Sequence, residues 1–141
     1  MTNDDYTALP AWYVLELLSP RLRQIQAQHA CDLATAATIM ARWQPGDDEA
    51  LKTASHLNYV VLGKVKLVGL RVAERLLNLA GLQLSDADED HFVPYYGIRP
   101  AIRMAGDELY AARRPLTEDA LVQRARELIA RRENLLRKPS R

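Results

Sequence analysis

Three histidines and one cysteine are the side chains of this 141-residue chain best suited to binding a metal or moving a proton near neutral pH. His29, His56 and His91 fall in no H-E-x-x-H arrangement, and Cys31 has no second cysteine for a C-x-x-C pair, so no ligand set is presented from one surface. On a helix, neighbours on a face are three or four residues apart, and the spacing His29-x-Cys31 therefore sends the two side chains to different faces. His29 reads as a core or surface histidine and Cys31 as a small buried hydrophobe. The segment Asp86-Ala87-Asp88-Glu89-Asp90 supplies the first three carboxylates of a calcium-binding loop, but the pattern then fails. His91 stands where the sharp turn needs glycine, and Gly97 where the bidentate glutamate belongs, which leaves an acidic, solvated loop. The chain also lacks a G-x-S-x-G elbow and a glycine-rich loop opening a helix. No catalytic residue, metal ligand or cofactor is assigned, and an enzyme is the less favoured class.

Two other groups of residues point to binding rather than reaction. Phe92-Val93-Pro94-Tyr95-Tyr96-Gly97-Ile98 gathers three of the nine aromatic residues into a stretch that cannot be helical. On a proline-stiffened loop, Phe92, Tyr95 and Tyr96 are candidate partner anchors, and the competing expectation is that they fold back and plug the core. The last helix is the sharpest amphipath: Leu121, Val122, Ala125, Leu128, Ile129, Leu135 and Leu136 fall within an arc of about 140° when successive residues are set 100° apart. Arg132 lies inside that apolar arc and joins the candidate partner contacts. Arg113, Arg114, Arg124, Arg126, Arg131, Arg137 and Lys138 surround it, either as a solvated edge or as phosphate contacts to DNA or RNA. No interleaved aromatics support single-strand binding, and no pair of short helices leads into a recognition helix.

The elements that must position these residues read as helices. Pro10 opens a first helix over 11–18, and Ser19-Pro20 caps a second that runs to Trp43 with Leu22, Ile25, His29, Leu33, Ala36, Met40 and Trp43 on one face. Pro45-Gly46 breaks it. Asp47 or Asp48 caps a third helix to Ala80, striped by Ala54, Leu57, Val61, Val65, Val68, Val72, Leu76 and Leu79, and Gly81 stops it. Lys64-Val65-Lys66-Leu67 alternates, so a strand within 63–72 competes with that helix. Residues 85–96 read as a loop, 100–113 as a fourth helix, and 118–137 as a fifth with Thr117 as its cap. A helix over 48–80 would be roughly 50 Å long, against a globule about 37 Å across for a chain of this size, so either it breaks near Gly63 or Gly69 or, the favoured expectation, its overhang is covered by a second copy in a homodimer.

The expected fold is thus all-α: one domain over 1–141, a bundle of about five helices around one long central helix, with 1–9 and 138–141 frayed. The single cysteine excludes an intrachain disulfide and favours a reducing compartment. The acidic start, Met1 to Asp5, is not followed by an apolar segment, and Lys64 and Lys66 interrupt the most apolar stretch, so a cytoplasmic protein without a signal peptide or membrane span is expected. Net charge is +1, but residues 113–141 hold nine lysines or arginines against four carboxylates. The reading that follows is a non-enzymatic protein-interaction module, an adaptor, small regulator or immunity- or antitoxin-type partner. The alternative is a nucleic-acid-associated protein using the basic last helix; third comes a helical enzyme or ligand carrier with His29 in an internal pocket.

Overall fold

Pro10 opens the first helix as expected, but the four residues ending at Pro10 form a strand. In the computed structural model, which describes residues 6–42 and 44–137, β1 (Thr7–Pro10) is the centre of a three-stranded antiparallel sheet. It pairs on one side with β2 (Leu67–Gly69), with Leu9 opposite Val68, and on the other with β3 (Val93–Pro94), with Ala8 opposite Val93. Pro10 stands opposite Leu67, where its missing N–H is not needed, and the ladder resumes with the Ala11 N–H donating to the Lys66 carbonyl at 2.9 Å. Six α-helices among the described residues surround this sheet: α1 (Ala11–His29), α2 (Leu33–Ala41), α3 (Asp48–Val61), α4 (Leu70–Leu79), α5 (Arg99–Ala111) and α6 (Glu118–Leu135). The protein is mostly helical but not all-α.

Two helix boundaries differ from the sequence expectation. Ser19-Pro20 does not start a helix, because α1 runs through it: Val14, Leu18, Leu22 and Ile25 are all buried along one face, each contributing about 1.5–3 kcal/mol, which offsets the ~3 kcal/mol disruption from an interior proline. Pro20 is exposed, and the Ser19 hydroxyl bonds back to the Leu15 carbonyl at 2.7 Å instead of capping forward. The break comes later, at Ala30 with φ 49°, after which the Asp32 carboxylate accepts from the Thr35 N–H at 2.8 Å and starts α2. Trp43 lies outside the described residues, as do 1–5 and 138–141.

The long central helix does not exist. Gly63, at φ 70°, takes the left-handed position after α3; its N–H bonds the Val60 carbonyl at 3.2 Å and the Lys64 N–H bonds the Tyr59 carbonyl at 2.9 Å, a Schellman motif that closes the helix. The alternating residues beyond it lead into β2, which begins at Leu67, and α4 begins only at Leu70. With that helix divided, the length argument for a dimer lapses. The same motif ends α4 at Gly81 and α5 at Arg113, whose φ of 55° is unusual for a side chain of that size.

Alternation across the strands separates the packing. Leu9 and Val68 face a large aliphatic core with α1 to α4, while Ala8, Leu67 and Val93 face Tyr95, Leu135 and Leu136. The α5–α6 hairpin has its own cluster around Tyr6, Met104 and Leu128. Thr117 caps α6 as expected, accepting from the Ala120 N–H at 3.2 Å, and at the other end the Trp12 indole donates to the Leu135 carbonyl. No helix among the described residues is long and apolar enough to cross a membrane.

Candidate interaction site

The segment 92–98 leaves the acidic region as β3 and carries its outer edge toward α6. Pro94 has no N–H to offer on that edge, and α6 occupies the carbonyls. The Arg131 guanidinium donates to the Phe92 carbonyl at 2.9 Å. Arg132 donates to the Tyr95 carbonyl and, at 3.3 Å, to that of Gly97, while its Nε reaches Glu133 at 3.1 Å and its guanidinium carbon lies 5.8 Å from the centre of the Tyr96 ring. Arg132 is 6% exposed, which explains a charge inside the apolar arc of α6: its stem packs and its head is spent on backbone acceptors. From the other side, the Tyr95 N–H bonds the Tyr6 carbonyl at 3.0 Å. The backbone beneath Tyr95 and Tyr96 is therefore fixed from two directions.

The side chains above that backbone divide by environment. Tyr95 is half-buried and lies so close to Gly69 that a Cβ there would fall 1.9 Å from the phenol oxygen, so any side chain at 69 would displace the ring from this seat. Burial raises the Tyr95 phenol above its ordinary pKa. Beside it lies a cavity of about 160 Å³ bounded by His56 and Tyr59 of α3, Val65 and Leu67 near β2, and Val72 of α4. The buried His56 Nδ1 has no hydrogen-bond partner among the described residues. Tyr96 is 56% exposed and Ile98 49%, and both continue the ledge outward.

Of the four sequence-derived anchors, then, Phe92 folds back against the main core, Tyr95 walls the cavity, Tyr96 stands exposed, and Arg132 is buried beneath them as the clamp. The loop thus turns Phe92 and Tyr95 inward and leaves Tyr96 at the surface. The basic residues do not form one free face. Arg124 is held by Glu108 at 2.6 Å and Glu127 at 3.2 Å, which keeps its guanidinium protonated above its ordinary range, and Arg131 is tied to β3. Arg113, Arg114, Arg126 and Arg137 are exposed; Lys138 lies outside the described residues.

His29 is exposed at the end of α1, which corrects the placement of this residue in a core or an internal pocket: the stripe turns to solvent where α1 ends. Cys31 is half-buried against the main core. The acidic carboxylates serve local turns, Asp86 accepting from the Gln83 N–H at 2.7 Å and Asp88 from that of Asp90 at 3.2 Å, and no group of three metal-binding side chains is found among the described residues. The stretch is not a plain loop, since 84–86 and 89–91 are 3-10 turns, and the His91 ring stacks on Tyr13 at 3.8 Å. Sequence reasoning missed Tyr59, Val65 and Gly69 as neighbours of Tyr95. The alternation at 64–67 was the available signal for β2, but nothing local announces its packing against a tyrosine 26 positions beyond Gly69. Comparison with protein-family models, curated proteins and solved structures finds no match for this chain.

Proposed function

We propose that the chain is a non-enzymatic protein-interaction module, of the adaptor, small-regulator or immunity- or antitoxin-type class, that docks its partner on the 95–98 ledge. One observation carries the reading: Tyr96 and Ile98 are exposed on a backbone held by Arg132 at the Tyr95 and Gly97 carbonyls and by the Tyr6 carbonyl at the Tyr95 N–H. An aromatic contact already held in position loses little freedom on binding, which is what makes a small ledge an efficient anchor. The adjoining cavity has room for one large side chain of the partner. A photo-crosslinking residue at position 96 is expected to give a discrete adduct in extract of the native host, absent when the same residue is placed at the exposed position 118. Equal labelling from both positions, or none from 96, overturns the proposal. An adduct of twice the chain mass identifies the partner as a second copy, the homodimeric form of the same proposal.

A further inference from the structure

On the other side of the sheet, a cleft of about 440 Å³ runs between the second 3-10 turn and the α5–α6 hairpin, within the size range of small-molecule sites. Four carboxylates line it, Glu89 and Asp90 from the turn and Asp107 and Glu108 from α5. Arg131 is the one basic residue of that lining, and Arg124 ion-pairs Glu108 from beside it, so the lining carries more carboxylates than guanidinium groups. Leu70, Phe92 and Met104 give the cleft an apolar wall. The Tyr6 hydroxyl donates to Asp107 and fixes that carboxylate in place.

Thr7 is the telling residue. It is 2% exposed, it lines the cleft, and its hydroxyl has no hydrogen-bond partner among the described residues. In the free protein that hydroxyl is a liability, because valine has the same shape and leaves no buried polar atom unsatisfied. A lone pair next to carboxylates is instead what an ammonium group needs to complete its donors. We propose that the cleft binds a small aliphatic di- or polyamine: the ammonium groups meet the carboxylates and the Thr7 hydroxyl, and the methylenes lie along the apolar wall. A metal ion is the poorer fit, since no three of the described carboxylates converge as a ligand set. The inference does not depend on the ledge, which lies across β3.

Putrescine and spermidine titrated calorimetrically into the full chain are expected to bind saturably at one site, more tightly than n-butylamine, and to weaken as salt rises. Thr7→Val is expected to be at least as thermally stable as the parent chain and to bind about tenfold more weakly, the loss of one charge-assisted hydrogen bond. Glu89→Gln combined with Asp90→Asn, both on an exposed turn, is expected to lower affinity with no change in melting temperature. No saturable binding up to millimolar amine, a monoamine that binds as well as the diamine, or unchanged affinity in either variant overturns the proposal. So does a Thr7→Val chain less stable than the parent, because the hydroxyl would then have a partner inside the protein.

Discussion

The body formed by α1 to α4 and the α5–α6 hairpin are both helical and both close on the same sheet, yet they are held differently. In the body, Leu9, Leu18, Leu22, Leu57, Leu76 and Leu77 are fully buried against one another, and the hydrophobic effect acts through large aliphatic groups. The hairpin buries mostly alanine beside Met104 and Leu128, and its attachment to the sheet relies on guanidinium groups that donate to the Phe92 and Tyr95 carbonyls on either side of β3. Aliphatic packing tolerates small shifts in orientation, whereas hydrogen bonds to backbone carbonyls fix a direction. The body is built for stability and the hairpin for holding the 92–98 backbone at one height and angle.

The sharpest break of that contrast is Leu76→Ala. Leu76 is fully buried in the aliphatic core, and its truncation is expected to cost about 3–5 kcal/mol, lowering the urea midpoint and exposing amides across α1 to α4 together. A loss below about 1 kcal/mol would mean that the body collapses around the cavity and is not close-packed there.

How much of this was readable in the sequence follows the same division. The helices carrying the aliphatic core have apolar residues at steps of three and four, and α5 and α6 appear close to their expected bounds because Pro100, Thr117 and the period agree. The sheet was nearly invisible: its strands are two to four residues long and pair across 57 or more positions, so apart from the alternation at 64–67 neither period nor turn marks them. Gly63 is a weak signal of a break by itself, since glycine inside a helix is a mild penalty, whereas glycine at the left-handed cap lets two carbonyls be satisfied at once. Of the candidate site, Arg132 was legible as an anomaly, a charge in an apolar arc, but its partners are backbone carbonyls and no sequence pattern encodes those.

Arg132→Met tests the hairpin side. Methionine keeps much of the stem's bulk and removes the donors, leaving the Tyr95 carbonyl without its charged partner, for an expected loss of about 2 kcal/mol. The location of the loss matters more than its size. By hydrogen exchange, the Tyr95 amide, which bonds the Tyr6 carbonyl, is expected to lose protection while amides of α1 and α4 keep theirs. A uniform loss across both regions would show that the clamp is part of the common core and not a local fixture of the ledge.

The smallest effect, and the most specific to the seam between the regions, is that of alkaline pH on Tyr95. Its phenol is packed against Gly69, and burial raises its pKa in the folded chain above the ordinary 10.0. Below pH 10 both folded and unfolded chains hold the proton and the contact contributes in full. As pH rises through the unfolded value and then the folded one, the unfolded chain releases its proton first, so stability falls and then levels off. Other groups titrate in the same range, and Tyr95→Phe isolates this one by difference. Between about pH 9 and pH 11, the parent chain is expected to lose more of its urea midpoint than Tyr95→Phe. The difference is modest because the ring is only half-buried and solvent reaches part of it. Equal losses would mean that the phenol meets water alike in both states, and that the seat against Gly69 is not what holds the ledge beside the body.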